Sequence, residues 1–459
     1  MSVENRTGAA VPQAGRAYVY LISFVAALGG FLFGMDLNII GSAMVFLKVQ
    51  FELEPSRVGF TAGSALVGCI FGPLLAMMLG DRLGRKRCLY LSSLLFAISA
   101  LGTALPATIS QFNLFRIVGG LGVGFASVVA PMFIAEISPA DKRGRLVLMY
   151  QLAITLGAML GVITAWILAA TLPESTSWRW MFGAELVPCA IFVALLPWVP
   201  RSPRWLAETG RHDEALGVLT RVNGPHRAAQ ELVEIKASVA EESGTIDELF
   251  RPPFRRALVV GVILAFLANW TGWSCVAYYQ QIILQQAGFT EPAEAIGASV
   301  VAMVANVLLT LISIALVDRW GRRPMWIWGS AAMIVSTLLM GIIIQANLHP
   351  LWAVVGVLLV LIPHAIALGP LPWLMISELF PTRIRVRAVG IATVCVWVAG
   401  YTGAQFFPIF GSYLEDLGWP GAVYWIFTGI CVFSLHFGRK LLPETKGRSL
   451  EEIAASWSE

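Results

Sequence analysis

Gly80-Asp81-Arg82-Leu83-Gly84-Arg85-Lys86 and Val317-Asp318-Arg319-Trp320-Gly321-Arg322-Arg323 carry one charge pattern twice, 237 positions apart, each in a short gap between apolar stretches. A second pattern repeats at nearly the same offset: Glu136, Pro139, Arg143 and Arg145 return as Glu378, Pro381, Arg385 and Arg387, 242 positions on. Two independent motifs at one offset describe a chain built as two similar halves. Internal duplication among membrane spans points to a transporter.

The apolar stretches around these motifs decide the class. Of 459 residues, 57% are hydrophobic and 13% charged, against about 25% charged in an ordinary soluble protein; the mean hydropathy is +0.73. Runs of about 20 apolar residues suffice to cross a hydrocarbon core of roughly 30 Å as helices. Twelve are read, at about 18–43, 58–79, 87–107, 110–134, 146–170 and 180–199, then 257–287, 294–317, 325–346, 351–376, 388–412 and 420–438. Continuous runs exclude a β-barrel, whose spans alternate over about ten residues. The expected fold is an all-α membrane protein of two pseudo-symmetric six-helix bundles. Its divisions are a cytoplasmic N-terminal tail (1–17), an N-terminal bundle (18–199), a cytoplasmic linker (200–256), a C-terminal bundle (257–441) and a cytoplasmic C-terminal tail (442–459). In the linker, Leu216, Leu219 and Val222, then Leu232, Ile235 and Val239, recur at helical spacing and predict short amphipathic helices.

Positive charge sets the orientation. Lys142, Arg143, Arg145, Arg383, Arg385, Arg387, Arg439 and Lys440 fall with the two Asp-Arg boxes in alternate gaps, while the gaps near Thr108, Asn347 and Glu415 are nearly free of it. Both termini are therefore expected in the cytoplasm of a cell with this protein in its inner or plasma membrane. The net charge of +4 follows from that bias and gives no reason to expect nucleic acid as a partner. Neither the six cysteines nor the five histidines show the spacing of a disulfide framework or metal site, and no cofactor is expected. No nucleophile, metal cluster or phosphate loop suggests an enzyme.

The chain resembles the sugar porter family of the major facilitator superfamily at Gly30-Phe31-Leu32-Phe33-Gly34-Met35-Asp36, Gly80 to Lys86, Arg116-Ile117-Val118-Gly119-Gly120, Pro443-Glu444-Thr445-Lys446-Gly447 and both repeated boxes. The Pro-Glu-Thr-Lys-Gly tail in register with the others is the specific part. The resemblance implies two bundles with a substrate site between them, alternately open to each side. It places Phe33, Gln151, Asn306, Trp373 and Trp397 at sugar-contacting positions, with Asn269 and Ser274 standing where the family has further amides. Amides offer both donors and acceptors to hydroxyls, and indole rings cover the C–H face of a sugar. Departures are expected to weaken that site: Ala268 and Asn269 replace a glutamine pair, Val396 replaces a polar residue, and Gln280 and Gln281 lie about three turns further on. Trp270 and Trp273 are expected to flank the pocket. Arg201 in Pro-Arg-Ser-Pro-Arg replaces a glutamate.

Two charged systems carry the expected mechanism. Asp81 with Arg85, Glu136 with Arg143, Asp318 with Arg322 and Glu378 with Arg385, joined by Glu444, are read as a cytoplasmic gate, paired across the bundles or within each. Asp36 and Arg116 are ionisable residues inside spans, costing about 2.5 to 3.5 kcal/mol each on insertion scales unless paired or functional. They are expected to meet near 10 Å depth, six to eight residues from the outer ends of their helices, and the resemblance assigns proton coupling to the aspartate. The function expected is proton-coupled symport of a sugar, polyol or related hydroxylated compound, such as a glycoside, by a monomer in the bilayer. A passive facilitator is the alternative and a non-transporting sensor the next.

Overall fold

A computed structural model describes residues 13–139, 143–241, 246–448, 452–453 and 457; the side chains of Arg143, Asp318 and Arg385, all named above as gate residues, lie outside the described residues. Twelve helices long and apolar enough to cross a membrane are present among them: Ala17–Gln50, Pro55–Leu83, Arg85–Ala104, Ile109–Ile137, Leu146–Thr171, Glu174–Trp198, Phe254–Gln286, Pro292–Val317, Arg322–Gln345, Pro350–Glu378, Arg387–Asp416 and Ala422–Lys440. They are the first to twelfth spans below. Each coincides with one of the twelve expected runs, mostly with a turn or two added. Short helices Pro203–Glu208, His212–Asn223, Pro225–Glu241 and Ile246–Leu249 occupy the linker.

Sequence sets the helix ends. Proline opens the second, eighth and tenth spans, where its missing N–H is one that no helical carbonyl would have met. Within the two Asp-Arg boxes, Gly84 (φ 78°) and Gly321 (φ 89°) turn the chain sharply from one span into the next in a conformation that side chains disfavour. The first span packs on the fifth, the second on the fourth and the ninth on the twelfth; between the bundles the second meets the eleventh and the fifth meets the eighth. Those last two contacts are copies of each other under the duplication. Close approach needs small residues: a Cβ on Gly34 would collide with the Ile154 carbonyl of the fifth span, and one on Gly157 with the Phe31 carbonyl of the first.

Three spans are broken, and the breaks matter. The sixth is interrupted at Ala184 and Glu185, where Pro188 cannot donate back to the Ala184 carbonyl. The seventh is interrupted at Thr271 and Gly272, with φ at Gly272 of 112°. The tenth widens into a π-helical turn at His364–Leu368 ahead of Pro370, whose missing N–H frees the Ile366 carbonyl. Ser313 of the eighth span donates to that carbonyl at 2.7 Å, so the irregular backbone is satisfied by a neighbouring helix.

Candidate functional site

Between the bundles lies a cavity of about 220 Å³ lined from six spans: the first, fifth, seventh, eighth, tenth and eleventh. All seven expected contact residues line it: Phe33, Gln151, Asn269, Ser274, Asn306, Trp373 and Trp397. Phe33, Trp397 and Trp373 form one aromatic wall, with ring centroids 5.6 Å apart from Phe33 to Trp397 and 6.2 Å from Trp397 to Trp373. The Trp397 indole nitrogen is buried without a hydrogen-bond partner.

The amides divide into two groups. Gln151 and Asn306 line the cavity and make no side-chain hydrogen bond among the described residues. Asn269 is committed: its amide donates to the Val396 carbonyl at 2.9 Å and its oxygen accepts from Ser274 Oγ at 3.2 Å. Asn269 thereby ties the broken seventh span to the eleventh, engaging one of its two amide hydrogens and one lone pair of its oxygen. Trp273 lines the cavity, but Trp270 points away, donating to the Ala399 carbonyl at 3.0 Å and stacking on Phe266. Gln280 and Gln281 are buried elsewhere, Gln281 donating at 3.2 Å to Ser42 and to Ser299.

His364 also lines the cavity, its ring centroid 5.8 Å from that of Trp273 and its Nδ1 without a partner. Histidine spacing, which argues only against a metal site, does not single it out; the signal that could is the flanking Pro363 and the Gly369-Pro370 pair, which mark an irregular helix. Asn38, Thr155, Tyr278 and Thr310 complete the polar lining. No Asp, Glu, Lys or Arg is among the lining residues.

Behind the first span lies a buried charge cluster. Arg116 Nη1 meets Asp36 Oδ1 at 2.5 Å and the Asp36 carbonyl at 3.2 Å, with the two side chains 0% and 1% exposed. The guanidinium also lies over the Phe182 ring, 5.4 Å from its centroid. Arg116 sits 7 residues into its helix from Ile109, as expected. Asp36 lies 14 residues from Gln50, not six to eight, because buried Val45, Phe46 and Leu47 continue the first helix beyond the expected end. Glu185, unforeseen from sequence, completes the cluster. It is 1% exposed at the break in the sixth span and faces Asp36. Asp36 Oδ2, Glu185 Oε1 and Arg116 Nε and Nη2 have no hydrogen-bond partner. Phe33, Gly34, Leu37 and Asn38 border the cavity on the same helix that carries Asp36, so a shift of that helix is felt on both sides.

At the arginine-rich end of the spans each half holds an ion-pair network of its own. Arg85 pairs with Glu136 at 2.9 Å, Glu208 at 3.5 Å and exposed Asp81 at 3.6 Å. Burial, outweighing the nearby Arg85, raises the Glu208 carboxyl above the usual range. Arg322 pairs with Glu378 at 3.0 Å. Ser202 Oγ donates to Glu136 and Thr445 Oγ1 to Glu378, each at 2.5 Å. Of the two arrangements left open by sequence, these pairs adopt the one within each bundle. Glu444 accepts from the backbone N–H of Arg322 at 3.0 Å and of Arg323 at 3.1 Å, capping the ninth span.

Comparison with known proteins agrees with this architecture. The family model described as sugar (and other) transporter matches residues 22–457. The chain is 36% identical over 450 residues to the arabinose-proton symporter of Bacillus subtilis (strain 168), covering 96% of this chain and 95% of that protein. It is 33% identical over 477 residues to the D-xylose-proton symporter of Escherichia coli (strain K12), covering 97% of each. The inward-open conformation of the xylose transporter XylE from E. coli aligns with a TM-score of 0.83 at 31% identity, over 96% of this chain and 100% of that one. The chain belongs to the sugar transporter family, on the major facilitator fold.

Proposed function

We propose that this transporter moves a neutral sugar or polyol together with a proton, and that the Asp36, Arg116 and Glu185 cluster carries the coupling. The observation behind this reading is the charge count. One guanidinium faces two carboxylates in a dry interior, so with both ionised the cluster bears a net negative charge, and a proton held between them removes that cost. Its arrival weakens the attraction of Asp36 for Arg116, frees the first span to shift, and so alters the cavity wall at Phe33 and Asn38. Deprotonation restores the pair. One proton moving down 100 mV supplies about 2.3 kcal/mol, enough to concentrate a neutral solute roughly 50-fold.

Gln151 and Asn306 serve as the hydroxyl-binding amides, and the Phe33, Trp397 and Trp373 wall covers the apolar face of the ring. Absence of a formal charge on the lining side chains, His364 aside, favours a neutral solute over a sugar acid. With the seventh-span amide committed within the protein, common hexoses are expected to bind weakly. The duplicated ion-pair networks act as a gate, latching the arginine-rich end while the other is open. Distribution of lysine and arginine favours cytoplasmic termini, and each bundle pair contains a complete cavity, consistent with a working monomer. Proteoliposomes lacking other ions test the reading: sugar added outside should make the unbuffered medium alkaline as protons enter. Sugar uptake with no pH change identifies a passive facilitator instead.

A further inference from the structure

His364 is a polar ring in the middle of an apolar span, and the fold makes no use of its polarity. It lines the cavity from the tenth span, yet neither ring nitrogen bonds to a described residue, and Nδ1 is enclosed without a partner. The Trp273 ring lies 5.8 Å away, centroid to centroid. On the other edge a Cβ added to Gly369 would stand 2.7 Å from Nε2, so that nitrogen lies against the bare Gly369 backbone, and Gly369 lines the same cavity. A ring needed only for packing could be phenylalanine. A polar one buried among apolar spans costs free energy unless something meets it.

The backbone is built around this placement. The π-helical turn of the tenth span begins at His364, a distortion found frequently at functional sites, and the Gly369 N–H closes it on the His364 carbonyl at 2.8 Å. Gly369 itself is helical (φ −79°, ψ −57°), so the turn does not demand a glycine; its missing side chain leaves room for the imidazole edge. Across the cavity, Ala268 gives the seventh span no polar group, and Ser274 is bonded to Asn269. We propose that His364 is a specificity-determining residue of the sugar site, hydrogen-bonding one sugar hydroxyl through Nε2. The ring is only partly buried although Nδ1 is enclosed, which leaves Nε2 as its polar atom open to the cavity. This inference rests on the reading of the cavity as a sugar site and adds a directional contact to it. An imidazole nitrogen either donates or accepts, and a hydroxyl, which does both, matches either tautomer. A site built to bond a hydroxyl rejects the analogue that lacks it, because the ring nitrogen is then left unpaired.

Calorimetry on the purified full chain with a panel of aldopentoses and aldohexoses selects the tightest-binding sugar, whose monodeoxy analogues are then compared in the parent and in variants. His364→Phe, which keeps a ring against Trp273 and removes both nitrogens, should weaken that sugar about three- to tenfold. One monodeoxy analogue should bind the parent more weakly by a similar factor, yet bind His364→Phe as well as the sugar itself does. His364→Gln, whose amide reaches as far as Nε2, should keep most of the affinity; His364→Asn, whose amide reaches only as far as Nδ1, should lose it as His364→Phe does. Should His364→Phe fail to fold, Gly369→Ala decides with the same analogues, since it sets a Cβ against Nε2 and leaves the ring in place. Unchanged affinity in the variant, rescue by asparagine rather than glutamine, or equal losses for every analogue in parent and variant overturns the inference and leaves the sugar site standing. A parent protein that binds no sugar of the panel overturns the sugar reading, and the inference with it.

Discussion

The two halves of this chain are alike where they meet the gate and unlike in their interiors. Both hold a glutamate between an arginine and a hydroxyl, Glu136 between Arg85 and Ser202, Glu378 between Arg322 and Thr445. Inside the spans the first half buries Asp36, Arg116 and Glu185, whereas the seventh to twelfth spans carry no Asp, Glu, Lys or Arg between their end turns. The second half instead contributes Asn306, His364, Trp373 and Trp397 to the cavity. On the mechanism proposed above, rocking of two bundles needs a latch on each, which keeps the copies alike, whereas a proton site and a sugar wall are needed once, which lets them diverge.

That division predicts unequal effects of mutation. Arg116→Met leaves two buried carboxylates without their cation and should cost about 3 to 5 kcal/mol of stability, read as a large drop in unfolding temperature. His364→Ala, which removes a cavity-lining ring of the second half, should cost far less. Equal losses would mean that the two interiors are not specialised as described. Next in size are the cavity contacts. Gln151→Ala and Trp373→Ala should each weaken sugar binding by about 1 to 3 kcal/mol, measured by calorimetry. Asn269→Ala should act mainly by loosening the seventh span, lowering stability more than affinity.

The gate offers the smallest effects. Glu136→Gln leaves Arg85 with Glu208 at 3.5 Å, so a cysteine introduced at the arginine-rich mouth should label only about twofold faster. Glu378→Gln should raise that rate by no more than about fivefold, the ratio for loss of roughly 1 kcal/mol from a partly exposed pair. Identical rates in both variants would show that the two latches contribute equally despite their different surroundings.

Much of this was legible in the sequence because the signals are local or periodic. Twelve apolar runs and two charged boxes fix the spans and the duplication, since lipid leaves helices few alternatives. Asp36 and Arg116 stood out because charge inside a span is costly. Glu185 did not, because it follows Phe182-Gly183-Ala184 at a break that only Pro188, three residues later, foretells. His364 was hidden for the same reason: its position facing the cavity depends on a π-helical turn, which shifts register without changing hydropathy. Asn269 shows the other limit, since an amide's usefulness to a ligand depends on whether the fold has already engaged it, here through Val396 and Ser274.

The central claim is that Asp36 couples the proton to sugar movement, and one variant tests it directly. Proteoliposomes holding Asp36→Asn, given an inward proton gradient as the only driving force, should fail to accumulate sugar or to alkalinise the medium. They should still exchange labelled for unlabelled sugar across the membrane. Accumulation by Asp36→Asn above the equilibrium level under those conditions would contradict the account.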